Sequence, residues 1–169
     1  GEYTFRNEAS SKIWATAYDF PAIVDGLVNK TTIKDGTLAS GQSFVFNLRK
    51  KKFQDIRVRK AIGLMFNFEW SNKTLFYDLY ERINSFWDNS DISASGMPSE
   101  SELKILRMFE ELIDPVNFIE PVFNFPQSSV KQLDRKNLRI ASALLKSSGW
   151  LVGNDGLRRN ANGETLDLE

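Results

Sequence analysis

Apolar residues at every fourth position, Ala9, Ile13 and Ala17, predict a helix within Arg6 to Ala17, and Asp19-Phe20-Pro21 ends it. Ala22-Ile23-Val24 and Leu27-Val28 flank Asp25-Gly26, the two-residue turn signal of a hairpin. Ser43-Phe44-Val45-Phe46-Asn47-Leu48 follows Gly41, is rich in aromatic and branched residues, and reads as a central strand. Asp55 then caps a helix whose apolar positions Val58, Ala61, Ile62, Leu64, Met65, Phe66 and Phe68 leave little polar face, so it is expected to be largely buried. A second helix from about Ser71 to Tyr80 turns Leu75, Phe76, Leu79 and Tyr80 to one side.

The periodicity breaks over 84–98, where Ser, Asn and Asp dominate but Phe86 and Trp87 intervene; this predicts a long loop with aromatic anchors. Ser99 and Glu102 form a capping box ahead of Leu103, Leu106, Phe109 and Ile113, and Asp114-Pro115 stops that helix. Residues 116–130, with Pro121 and Pro126, read as an extended connection. Asp134 opens a last helix with Leu138, Ala141 and Leu145 on one face and Gly149 as the first residue past its end. Three short strands follow between Asn/Asp/Gly turns: Trp150-Leu151-Val152, Gly156-Leu157-Arg158 and Thr165-Leu166-Asp167-Leu168. The expected fold class is α/β in a mixed α+β arrangement, with strand edges that ask for partners outside the chain.

Composition narrows the chemistry more than the fold. The 169 residues suggest about one domain, and 41% hydrophobic with 26% charged residues suits a soluble globular one. No apolar run approaches the roughly 18 residues of a transmembrane helix. There is no Cys and no His, which excludes disulfides, thiolate nucleophiles, a Ser-His-Asp triad, haem ligation and ordinary zinc sites. The 22 basic and 22 acidic residues cancel, yet Arg49 to Lys60 carries net +6 and Asp78 to Asp114 net −6. The sequence opens at Gly1 without an initiator Met or signal peptide and stops in mid-pattern at Leu168-Glu169, so an excised piece of a longer protein is expected.

Each candidate site has a plainer reading beside it. The basic stretch with Phe53 could contact phosphates, but the chain is neutral overall and no nucleic-acid motif surrounds it, so no nucleic-acid partner is expected. Glu110-Glu111 and the pair Asp88 and Asp91 could in principle serve acid/base work, although adjacent acids on a capped helix usually face water. Asp88-Asn89-Ser90-Asp91 lacks the central Gly and terminal Glu of a calcium loop, and no Gly-rich phosphate loop is present. The reading is therefore not an enzyme, with no cofactor and no metal. The excess lies in aromatics: thirteen Phe, four Trp and four Tyr, which either fill a core or line a concave, mainly apolar ligand site.

Specific strings add a resemblance. Phe46-Asn47, then Phe53-x-Asp55-x-Arg57-Val58-Arg59-x-Ala61, then Phe66-Asn67-Phe68-Glu69-Trp70, resembles the signature of the family 5 extracellular solute-binding proteins of ABC peptide importers. Trp14-Ala15-Thr16, Tyr18-Asp19-Phe20-Pro21, Leu75-Phe76-Tyr77, Ser85-Phe86, Ala94-Ser95-Gly96-Met97-Pro98-Ser99 and Gly149-Trp150 resemble the oligopeptide-binding branch related to the microcin C importer. Lys52 stands where that signature usually has Pro, and Asn67 where it often has Asp.

The resemblance implies a bacterial protein of the type II periplasmic-binding-protein fold, secreted to the periplasm by a signal peptide not present here. Two lobes would close on an oligopeptide and hand it to a membrane permease. Residues 1–169 would be a single-domain fragment of the second lobe, partnered by the remaining lobe. The Asp-Tyr-Asn-type motif, whose acid pairs with a peptide's amino group in many relatives, is absent. Asn47 is nominated for the ligand site because α/β sheets present ligands beyond strand ends. The aromatic loop nominates Tyr80, Arg82, Phe86, Trp87 and Asn89, with Arg suited to a carboxylate and Asn to a peptide main chain. The other expectation is a stand-alone interaction or sensor domain that reuses such a lobe.

Overall fold

The computed structural model describes residues 4–168. Its helices are α1 (Ser11–Thr16), α2 (Pro21–Val24), α3 (Ile56–Met65), α4 (Phe68–Leu75), α5 (Glu100–Arg107) and α6 (Arg135–Ser147), followed by strands β1 (Leu151–Val152) and β2 (Arg158–Arg159). The chain divides into two compact units. One holds the residues up to Thr31, Phe44–Tyr80 and those from Pro126 onward; the other holds Thr32–Ser43 and Glu81–Phe125.

The core of the first unit forms where α3 meets α6. Val58, Ala61 and Leu64 lie on one face of α3, and Ala141 and Leu145 on one face of α6. With Phe53 and Trp150 they make one buried cluster, in which Val58 is 0% exposed, and Phe46, Ile62, Leu144 and Leu166 pack around it. Alanines at the crossing let the two backbones approach.

Local chemistry fixes both helices. The Asp55 carboxylate accepts from the Arg57 backbone N–H at 2.8 Å and caps α3. Arg57 folds back onto that carboxylate at 2.6 Å and donates through Nη1 to the Ser147 carbonyl at 2.8 Å, tying the start of α3 to the end of α6. Arg59 donates to the carbonyls of Phe53 and Gln54, holding the short 3-10 turn Lys51–Phe53 in place. Asp134 caps α6 through the Asn137 N–H, and Gly149, at φ +88°, ends it. Gly149 N–H bonds to Lys146 O and Trp150 N–H to Leu145 O, a paired closure that drops Trp150 onto Leu145 in the core.

β1 and β2 pair antiparallel with Leu151 opposite Arg159 and Val152 opposite Arg158, and Arg159 bridges on to Thr165. Of the three expected strands, the first forms at Leu151–Val152, the second is shifted to Arg158–Arg159 because Asp155-Gly156 are taken up by the turn, and the third is reduced to the single bridge at Thr165; helix and strand together give the mixed class expected. Arg159 pairs with Asp155 at 2.7 Å across this hairpin's turn. The guanidinium, helped by the Leu157 N–H, pushes the Asp155 carboxyl down from 3.8 to about 2. A depressed folded-state value means that the pair's stabilisation is complete above about pH 4 and is lost as pH falls through about 2. An NMR titration of the Asp155 carboxyl should show a midpoint near 2; a midpoint near 4 would mean the pair is absent in solution.

Several elements differ from the sequence-based expectations. The expected hairpin at Asp25-Gly26 is instead the end of α2: Pro21 opens the helix and Gly26, at φ +71°, closes it. Its N–H bonds to Ile23 O while Leu27 N–H bonds to Ala22 O, so Asp-Gly serves as a helix terminator rather than a hairpin turn. The expected central strand Ser43–Leu48 pairs with no other strand among the described residues. Phe44 and Val45 are 93% and 88% exposed, and only Phe46 reaches the core, its ring 5.2 Å from that of Phe53. Strand propensity cannot make a strand without a partner for its backbone groups.

The first helix is shorter than its pattern because Ser10 caps it from within the predicted span. α3 is buried on one face only, with Met65 and Phe66 exposed. α4 starts at Phe68 rather than Ser71, since Asn67 caps it through the Trp70 N–H, and it ends at Leu75 because Tyr77 and Asp78 adopt positive φ. α5 keeps its full capping box but stops at Arg107; Glu110–Leu112 and Pro115–Phe118 continue as 3-10 turns.

Candidate functional site

The residues nominated from the sequence divide between the two units. Asn47 and Tyr80 belong to the first, whereas Arg82, Phe86, Trp87 and Asn89 belong to the second.

In the first unit Asn47 is exposed at the turn leading to the 3-10 segment. Its Oδ1 accepts from the Arg49 N–H at 3.1 Å, and its carbonyl from the Lys50 N–H at 3.0 Å, so this side chain fixes a turn. The signature arginines after it are likewise engaged within the fold, Arg57 and Arg59 with carbonyls and Asp55. Lys52 reaches the Asp167 carboxylate and carbonyl, both at 2.8 Å, so the position where a proline was expected carries a tie to the C-terminal segment. Asn67 uses the amide that an Asp would lack: Nδ2 donates to the Ser129 and Lys131 carbonyls at 2.9 and 2.7 Å.

Tyr80 lies in a different setting. It lines an open groove of about 180 Å³ together with Glu8, Ala9, Ser10, Ser11, Trp14 and Leu79. Each aromatic residue of this lining meets further rings: Tyr80 meets Phe76 edge to face at 4.9 Å, and Trp14 lies 5.7 Å from Tyr18, which lies 6.3 Å from Phe20. The Lys30 ammonium sits 4.4 Å from the Trp14 ring centroid. Glu8 accepts from the Ser10 N–H at 3.0 Å, from Arg6 at 2.8 Å and from the Tyr18 hydroxyl at 3.2 Å. Foremost the Ser10 backbone bond, then the Arg6 and Tyr18 groups, hold its carboxyl below the usual range, so it stays ionised.

In the second unit the 84–98 segment folds as a series of turns. Ser85 Oγ accepts from the N–H groups of Trp87 and Ala94, closing the loop on itself. Asn89, at φ +61°, donates through Nδ2 to the Asp35 and Thr37 carbonyls at 3.0 and 2.6 Å, and Ala39 N–H bonds to Asp88 O. The Asn89 side chain therefore stitches the loop to the 35–39 segment. Arg82 stacks over Phe125 at 5.2 Å, and Phe125 meets Phe123 edge to face at 5.1 Å. This framework presents Phe86, 98% exposed, and Trp87, half exposed, to solvent, together with Ile92 and Met97.

Sequence reasoning missed Asn72, whose buried side chain organises the turn leading to Tyr80. The only available signal was a polar residue of modest helix propensity directly after Trp70-Ser71 in an amphipathic helix. Among the described residues, no group of three or more acidic side chains is arranged to hold a metal ion, and no helix is long and apolar enough to cross a membrane. What the surfaces offer is aromatic contact area with a few fixed polar groups, which suits binding rather than bond-making.

Comparison with known proteins agrees with this character. The family model for bacterial extracellular solute-binding proteins, family 5 Middle, matches residues 1–168. A protein named "Probable peptide-binding protein YejA" from Agrobacterium fabrum is 38% identical over 171 residues, covering 100% of this chain and 28% of the relative. An uncharacterized protein, y4wM, from Sinorhizobium fredii is 36% identical, again over 100% of this chain and 26% of its own length. "Peptidoglycan-binding protein YepA" from Agrobacterium fabrum is 31% identical over 92% of this chain and 25% of its own length. The chain thus spans about a quarter of the length of the curated relatives it matches.

Proposed function

The chain belongs to family 5 of the bacterial extracellular solute-binding proteins, and from that premise we propose that it is part of a peptide-capturing component of an ABC transporter. The observation that carries this reading is the family match over residues 1–168 together with a relative of 38% identity named as peptide-binding. On this reading the intact protein works in the periplasm, closes two lobes on an oligopeptide and delivers it to a membrane permease. These residues supply part of one lobe. The relatives' greater length supports a part of a two-lobed carrier over a stand-alone interaction or sensor domain. The protein binds and releases; it performs no chemistry on its ligand.

The candidate surfaces fit a peptide. Aromatic rings supply contact area at small cost in conformational entropy, and an Arg such as Arg82 can meet a carboxylate with two parallel hydrogen bonds. The relative named as peptidoglycan-binding favours a second reading, in which the peptide is one derived from the cell wall. Both readings use the same peptide chemistry and separate by whether a free peptide suffices.

Titration of the full-length protein with short peptides, compared with Arg82→Ala and Phe86→Ala, tests the loop's part in this reading. Each variant is expected to weaken binding about tenfold, equivalent to roughly 1.4 kcal/mol. Unchanged affinity in both removes the 81–98 segment from the site.

A further inference from the structure

After α4 the chain runs through two successive non-glycine residues in the left-handed region, Tyr77 at φ +57° and Asp78 at φ +58°. Side chains disfavour that conformation, so it persists only where surrounding bonds over-determine it. Here they converge on Asn72. Its carbonyl accepts from the N–H groups of Phe76 and Asp78, both at 3.0 Å. Its side chain does to Tyr80 what a neighbouring peptide group would do: Nδ2 donates to Tyr80 O at 2.7 Å and Oδ1 accepts from Tyr80 N–H at 3.1 Å. Asn72 is itself buried, so these bonds are shielded from competition by water. The outcome is that Leu79 and Tyr80 stand in the wall of the groove that Glu8, Ser10, Ser11 and Trp14 complete.

We propose that Asn72 is a positioning residue for ligand: by clamping the Tyr80 backbone it holds the Tyr80 ring as one wall of a subsite for an apolar or aromatic side chain of a bound peptide. The inference rests on the peptide-capturing reading above. A carboxylate cannot perform this role, since the side chain must donate to one atom and accept from another of the same backbone residue. Asn72→Asp keeps the bond from Tyr80 N–H but sets a carboxylate oxygen against the Tyr80 carbonyl. The ligand groove should then lose its shape on that side without losing any residue that touches ligand.

The test is calorimetric titration of the full-length protein with the tripeptides Ala-Phe-Ala and Ala-Ala-Ala, using wild type, Asn72→Asp, Tyr80→Ala and the double variant. Both single variants are expected to bind Ala-Phe-Ala about tenfold more weakly, and the double variant no more weakly than Tyr80→Ala alone, because Asn72 acts through Tyr80. Affinity for Ala-Ala-Ala should change less than twofold, which a general loss of structure would not spare. Multiplying losses in the double variant, or wild-type affinity in Asn72→Asp, overturn the inference. Tyr80→Ala leaves the clamp's backbone bonds intact, so unchanged affinity for Ala-Phe-Ala in that variant overturns it even if Asn72→Asp does not accumulate. Wild-type protein that binds neither tripeptide overturns the inference together with the peptide reading; binding that the variants leave untouched overturns the inference alone.

Discussion

Replacing Trp150 with alanine lowers the opening free energy of α3 and α6 by about 3–5 kcal/mol, the range for deleting a large buried aromatic side chain. Trp150 is 7% exposed and shares its cluster with Phe53, Val58, Ala61, Leu64, Ala141 and Leu145. It is also the residue through which the closure of α6 leads into the hairpin, since its N–H bonds to Leu145 O and its carbonyl accepts from Arg158 Nη1 at 2.9 Å. Arg158 in turn reaches Ser142 Oγ at 2.7 Å, so the Trp150 backbone, α6 and β2 are tied together around the buried indole. Native-state hydrogen exchange of the α3 and α6 amides in the intact protein reads the effect directly. A loss below about 1 kcal/mol would mean that Trp150 is not part of a packed core.

The second large effect is expected at Ala61, 0% exposed in the α3–α6 cluster that also buries Ala141. Ala61→Leu adds three carbons to a contact with no room for them and should cost about 1–3 kcal/mol through overpacking. The added bulk must separate the helices or bend side chains from their rotamers, and separation also stretches the Arg57 bond to Ser147 O. Hydrogen exchange should therefore rise at the start of α3 and the last turn of α6 together. Exchange that is unchanged at both ends would show that the contact has room to spare.

How legible the fold was in the sequence depends on how local its determinants are. The Ser99–Glu102 capping box, the Asp55 and Asp134 caps and the Gly149 terminator all stand as the sequence predicts, because each is settled by hydrogen bonds within a few residues. The 43–48 strand failed for the opposite reason: its aromatic and branched residues state a propensity, but pairing needs a distant partner. Asp25-Gly26 was ambiguous locally, since the same dipeptide ends helices and turns hairpins, and Pro21 decided for the helix. The candidate site is legible only as an inventory. The aromatic loop nominates Tyr80 and Phe86, whereas the side chains of Asn47, nominated from a strand end, and Asn89, nominated from the loop, bond to the chain itself. Asn72 gave almost no signal because its role depends on a backbone eight residues further on.

The family signature also acquires a physical meaning. Asp55 caps α3 as its sequence position predicts, while Arg57 joins α3 to α6 and Arg59 holds the preceding turn. In this chain those charges are structural.

The account is tested most directly by titrating the wild-type full-length protein with short, chemically defined peptides in a calorimeter. It predicts saturable one-to-one binding. Absence of any binding, with the protein folded, would contradict it.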